Sequence, residues 1–261
     1  MNEYRCLFCR GPRDVPLRFR TLLAPVHPPG LCRLCLEKMA PIDRKACCLV
    51  CGRDLRQLKL EFIRHNICND CMRWKKSGRG RLFGRNRSIF SYNKMMKEMM
   101  TAFKFRGDAL LAEAFRKDFR DAYRQMIGID PKGLWNRMRR GRWLFPNERY
   151  VVVPIPLTRE RFIKRGFNQS AVLAELLGEP IIEALSRAGS QKKQSKKNRR
   201  ERLLPGRNPF ALNPRAASAI AGRRVLLIDD IYTTGATLRL ACDTLEAAGP
   251  DRVDALTLAH G

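Results

Sequence analysis

No run of about 18 consecutive apolar residues occurs in this 261-residue chain, so no membrane-crossing helix is expected. The amino terminus, MNEYRCLFC, has no apolar core of the kind that directs export. Together these absences predict a cytoplasmic protein without a membrane span, in a compartment where thiols stay reduced. Acidic residues are scarce as well, 25 Asp and Glu against 52 Lys and Arg, which leaves a net charge of +27. An excess of that size predicts a polyanionic partner. His27, His65 and His260 are the only histidines and form no catalytic constellation. Two nucleotide-binding signatures are also missing, the G-x-x-x-x-G-K-[ST] loop and a G-x-G-x-x-G turn after a strand.

The most telling segment that is present is VLLIDDIYTTGAT, Val225 to Thr237. Val225 to Ile228 is a short unbroken apolar run, as expected of a strand buried on both faces of a parallel sheet. Asp229 and Asp230 follow at its carboxyl end, where open α/β sheets bind ligands. Thr233, Thr234, Gly235, Ala236 and Thr237 then lead into a helical pattern, Leu238, Ala241, Cys242, Leu245. The unsatisfied N–H groups and dipole of a helix start favour a phosphate, and the threonines add hydroxyl donors. Acidic side chains do not bind phosphate, so the pair serves something beside it. One carboxylate suits a vicinal diol, while the other orients the loop or a hydrated metal.

Cysteine supplies the second pattern. Four C-x-x-C pairs fall within the first 71 residues: Cys6/Cys9, Cys32/Cys35, Cys48/Cys51 and Cys68/Cys71. Two pairs complete a tetrahedral thiolate site, so eight ligands imply two zinc ions. Sequential pairing joins Cys6, Cys9, Cys32 and Cys35 on one ion and the other four on the second, with a cross-braced arrangement as the alternative. Disulfides would need an oxidising compartment, which nothing in the chain supports. Gly11 and Gly52, just past their pairs, suit the tight turns of zinc knuckles. Cys47 reads as a spare neighbour and Cys242 as core.

A boundary is expected near SGRGR, Ser77 to Arg81, dividing a metal-stapled module, residues 1–80, from a larger domain, residues 81–261. Two segments concentrate positive charge. KKQSKKNRRER, Lys192 to Arg202, has no apolar residue and reads as a mobile loop. WNRMRRGRW places Arg137, Arg139, Arg140 and Arg142 between Trp135 and Trp143, a pattern suited to stacking on unpaired bases or, alternatively, to a solvated surface. Helices are expected over Ser91 to Phe105, with a methionine stripe, over Ala109 to Tyr123, from Gln169 to Leu177, and from Thr237 to Ala248. Further strands are expected at Tyr150 to Ile155 and Val253 to Leu258. This alternation predicts an α/β fold with a largely parallel sheet.

The Val225 to Thr237 segment resembles the motif of type I phosphoribosyltransferases that binds phosphoribosyl pyrophosphate (PRPP), in which the acids contact the ribose hydroxyls and the loop wraps the 5′-phosphate. Together with KFRGD (residues 104–108), VVVPIPLTRERFIKRGFNQ (151–169), QKKQSKKNRRERL (191–203) and the cysteine module, it makes nearly the whole chain similar to competence proteins of the ComFC type. Residues 128–148 carry no assignable motif. The resemblance implies a parallel-sheet, type I phosphoribosyltransferase-like domain preceded by a zinc-ribbon module. It also implies a pyrophosphate loop within Pro154 to Arg161, with Arg159 and Arg161 as anion contacts. A mobile lid at Arg187 to Arg202 would carry Lys192, Lys193 and Lys196 as catalytic cations. Magnesium would be held mainly by PRPP oxygens and water. Two functions follow: a DNA-uptake factor that binds single-stranded DNA beside a ComFA-type helicase, or a working transferase with an unknown base or amine acceptor. No segment is assignable to an acceptor, and a fold alone does not establish a reaction.

Overall fold

A computed structural model describes residues 4–13, 29–105, 109–128, 150–187 and 208–261. The helices are α1 (Arg33–Glu37), α2 (Asn69–Ser77), α3 (Lys94–Phe105), α4 (Arg116–Met126), α5 (Arg159–Arg165), α6 (Gln169–Glu175), α7 (Ala217–Ile220) and α8 (Ala236–Leu245). The strands are β1 (Ile63–Arg64), β2 (Ile67–Cys68), β3 (Phe83–Ser91), β4 (Val151–Pro154), β5 (Leu185–Arg187), β6 (Phe210–Leu212), β7 (Arg224–Tyr232) and β8 (Arg252–His260). No helix among the described residues is long and apolar enough to cross a membrane.

The central sheet has the order β3-β8-β7-β4, and every pairing in it is parallel. Its strands are buried on both faces, which is why β4 and β7 read as continuous apolar runs. Alternation divides them between two cores. Val152, Leu226, Ile228 and Leu256 pack with α3, α4 and α6 on one face, while Val151, Val153, Val225 and Leu227 pack with α8 on the other. Met96, Met99 and Met100 of α3 are essentially fully buried, so the methionine stripe is core. Cys242 is likewise buried within α8.

The cysteine module does not stand apart from these cores. Cys6, Cys32 and Cys35 belong to the α3 face, and Cys48, Cys51, Cys68 and Cys71 to the α8 face. The module therefore straddles the sheet at β3. Its backbone also closes the open side of that strand: Ile42 N–H donates to Ile89, Ser91 N–H to Ala40 and Asn86 N–H to Val50, at 2.9, 2.8 and 2.7 Å. The Asn86 side chain donates to the Cys51 carbonyl at 2.9 Å and, with Ser88 and Thr257, forms a buried polar knot beneath the second knuckle.

Several local expectations need correction. The strand predicted to end at Ile228 runs on to Tyr232, so the two acids are the sixth and seventh of its nine residues rather than lying beyond it. Residues Ala109–Phe115 form a 3-10 helix, and the α-helix starts only at Arg116. Arg159 and Arg161 stand on the first turn of α5, capped by Thr158, not on a loop. Gly52 takes the left-handed turn expected of it (φ +74°), but in the first knuckle that conformation belongs to Arg10 (φ 62°) rather than Gly11.

Candidate functional site

Each cysteine group gathers its thiols in the sequential arrangement. In the sets Cys6, Cys9, Cys32, Cys35 and Cys48, Cys51, Cys68, Cys71, all four sulfurs lie within 4.8 Å of one another. A tetrahedral ion with metal–sulfur bonds of about 2.3 Å separates its ligands by about 3.8 Å. The distances found are 3.9 Å for Cys6–Cys35 and 3.6 Å for both Cys9–Cys32 and Cys51–Cys68. Backbone N–H groups also reach the sulfurs, Cys32 to Cys6 at 3.3 Å and Cys68 to Cys48 at 3.4 Å. Burial raises the Cys6 thiol, but the amides of Cys32, Cys9 and Phe8 outweigh it and bring it down to about 6. Hydrogen bonds from the other three thiols lower Cys48. Cys32 and Cys68 each stand at the N-cap of a helix, α1 and α2. The donor sets thus fit a metal at each site. Cys47 stays outside both, its thiol donating to the Arg44 carbonyl at 3.3 Å.

The acid pair sits where β7 approaches α8. Asp229 accepts from the Ser170 hydroxyl of α6 at 3.2 Å and from the Asp230 backbone N–H at 2.9 Å. Burial, with the like charge of Asp230 adding to it, pushes Asp229 up to about 7. Asp230 is paired with Lys104 of α3 at 2.5 Å. Lys104 is the first residue of the KFRGD run, and its own place beside the pocket is revealed only by the fold. Arg165 of α5 lies within the field of Asp230 and Arg161, and Arg187 of β5 within that of Arg161 and Asp229. Two acids ringed by cations make a site that accepts hydroxyls at its centre and anionic oxygens at its rim. Gln169, 1% exposed, accepts from Arg165 at 2.7 Å, while its amide nitrogen has no protein acceptor among the described residues.

The loop follows directly. Gly235 has φ +78° and caps α8; a Cβ there would fall 2.1 Å from the Tyr232 hydroxyl oxygen. Thr233 is exposed, Thr234 is buried with its hydroxyl accepting from Ala236 N–H at 3.4 Å, and Ala236 and Thr237 open the helix. Beside β4 lies a cleft of about 360 Å³ lined by Pro154, Leu157, Arg159, Phe162, Asn168 and Arg187. Asn168 caps α6 and donates to the Ile155 carbonyl at 3.1 Å, tying the end of β4 to the helix that carries Ser170. Arg159 therefore faces this cleft, whereas Arg161 contributes charge towards Arg165 and Arg187. Lys192, Lys193, Lys196 and the Trp135, Arg137, Arg139, Arg140, Arg142, Trp143 stretch lie outside the described residues. In sequence those lysines fall between β5 and β6, which pair antiparallel.

Charge is distributed unevenly. Residues 4–13 and 29–105 carry 21 Lys and Arg against six Asp and Glu, while the described residues beyond them carry 14 against 13. Among the described residues, the cysteine module, β3 and α3 are therefore the strongly basic part.

Residues 166–261 match the family model for the phosphoribosyl transferase domain. The chain is 37% identical to competence protein ComFC of Bacillus subtilis over 252 residues, 95% of this chain and 91% of the relative. It is 30% identical to competence protein ComFC of Streptococcus pneumoniae, covering 97% of this chain and 99% of the relative. A shorter match, 32% over 92 residues, 33% of this chain and 39% of the relative, links it to the DNA utilization protein YhgH of Escherichia coli.

Proposed function

Because the chain belongs to the ComFC family of competence proteins, we propose that it acts in DNA uptake, binding incoming single-stranded DNA in the cytoplasm while its sheet-end pocket holds PRPP. The observation that carries the pocket reading is the acid pair itself. Asp229 and Asp230 are held at the carboxyl end of β7 by Ser170 and Lys104, next to a glycine-hinged helix start. In this reading the ribose hydroxyls donate to the carboxylates, and the 5′-phosphate takes the N–H groups and hydroxyls of Thr233 to Thr237. The pyrophosphate faces Arg159, Arg161, Arg165 and Arg187. Magnesium, when bound, would neutralise pyrophosphate oxygens and be held mostly by them and by water. Zinc fills both cysteine groups.

The single strand would run over the basic surface of the cysteine module, with the tryptophan-arginine stretch, outside the described residues, as a further contact. A ComFA-type helicase is the partner that this role requires. A second reading is favoured by the cations around the pocket. Lys104, Arg165 and Arg187 beside the acids are what a departing pyrophosphate needs, so the protein would then transfer the phosphoribosyl group to an unidentified base or amine.

Two measurements test this. Fluorescence anisotropy with a single-stranded oligonucleotide should show binding that weakens as salt rises. Calorimetry should show PRPP binding that Asp229→Ala with Asp230→Ala abolishes while DNA affinity is kept. Equal loss of both ligands in a folded variant would overturn the division into two surfaces. PRPP consumption across a panel of bases and amines decides between pocket and transferase.

A further inference from the structure

The loop after β7 is held from outside its own domain. Trp74, on α2 and three residues beyond the ligand Cys71, is 6% exposed, and its indole N–H donates to the Thr234 carbonyl at 2.7 Å. The next carbonyl is held as well. Arg239 of α8, 3% exposed, donates to the Tyr232 hydroxyl at 2.9 Å and to the Gly235 carbonyl at 3.5 Å. Its guanidinium lies between two aromatic rings, 4.7 Å from the Trp74 centroid and 4.9 Å from that of Phe83. A Cβ on Gly235 would fall 2.3 Å from the same guanidinium, so loop, arginine and indole leave no slack.

The position of Trp74 depends in turn on the second cysteine group. Helix α2 is capped by Cys68 and contains Cys71 in its first turn, so two of the four ligands fix its start. The chain leaving α2 is tied to α8 too, through Gly80 N–H donating to Asp243 at 2.6 Å. The first cysteine group, on the opposite face of the sheet, makes no such connection among the described residues.

We propose that Trp74 and Arg239 are positioning residues for the phosphate loop, and that the metal held by Cys48, Cys51, Cys68 and Cys71 sets that loop through them. The inference rests on reading Thr233 to Thr237 as phosphate-binding. With the Thr234 carbonyl pinned towards α2, the Gly235 N–H that follows it is turned the other way, towards the anion, while the Ala236 N–H is held by the Thr234 hydroxyl. The zinc module is then part of the pocket's construction and not only a handle for DNA.

Trp74→Phe is the discriminating variant, because it keeps a ring for Arg239 and removes only the indole N–H. In the zinc-loaded full chain, hydrogen exchange in the peptide spanning residues 229–240 should accelerate while β8 and the zinc content stay unchanged. Ribose 5-phosphate affinity should fall about five- to tenfold, the loss expected for one buried hydrogen bond. Unchanged exchange in that peptide overturns the proposal, whatever the affinity shows. If the wild-type protein binds no ribose 5-phosphate, the phosphate reading fails, yet the exchange comparison still decides whether Trp74 holds the loop. Should Trp74→Phe not fold, a Trp135→Phe, Trp143→Phe protein leaves Trp74 as the only indole of the chain's three. Its emission should then shift on saturation with ribose 5-phosphate, and a flat response overturns the proposal.

Discussion

Desolvation and the like charge of Asp230 push the Asp229 carboxyl up to about 7, and its proton must leave before both of its oxygens can accept from a diol. Ribose 5-phosphate should therefore bind more tightly as pH rises from 6 to 8, and calorimetry on Asp229→Asn should show a flatter profile. The same shift has a stability consequence of fixed sign. A carboxyl raised from an ordinary 3.8 to about 7 favours the folded state when protonated, and that contribution is lost as pH climbs through this window. Asp229→Asn should remove that part of the pH dependence in a denaturant titration. Lys104 tempers the effect by pairing with Asp230 at 2.5 Å. No local pattern announces this lysine as a pocket residue, since the pairing spans 126 positions of chain and exists only once α3 packs across the sheet.

Elements with a repeating apolar pattern were legible, and those stabilised by a neighbour were not. β4, β7, β8, α3, α6 and α8 all follow from runs or stripes that the cores absorb. β3 escaped because its inward positions include Asn86 and Ser88, polar residues that are buried only because they bond the second knuckle and Thr257. Its sequence, FGRNRSIFS, carries arginines where a buried strand would show valines. The β5 and β6 pair escaped for a different reason, being three residues each and separated by the long basic segment. The stripe in α3 offers a direct check. Met99 is fully buried, so Met99→Ala should cost about 2–5 kcal/mol in chemical denaturation. Lys97→Ala, at an exposed position of the same helix, should change stability by less than about 0.5 kcal/mol.

At the scale of the molecule, charge and chemistry are divided among the described residues. Among the described residues the acid pair and its loop belong to a part with nearly balanced charge, and the excess of cations lies with the cysteine module, β3 and α3; over the full sequence, residues 106–261 carry 29 Lys and Arg against 17 Asp and Glu, because the two basic segments lie outside the described residues. Lys75→Glu with Arg79→Glu, on and just after α2, should weaken single-strand binding and reduce its salt slope by about 0.7 for each phosphate that is no longer neutralised. Arg215→Glu, exposed just before α7, should leave that slope unchanged. The sequence showed the total excess but not its location, because a linear tally does not reveal which basic residues share a surface.

The backbone bonds that the cysteine module lays along β3 have a practical corollary for handling the protein. They are what keeps the outermost strand from presenting free amide and carbonyl groups to another copy. Stripping the metal should loosen that cover and turn the sheet's border adhesive, so a chelator would be expected to cloud a concentrated sample before it unfolds the α/β core. Light scattering followed alongside far-ultraviolet circular dichroism would register the two events in that order.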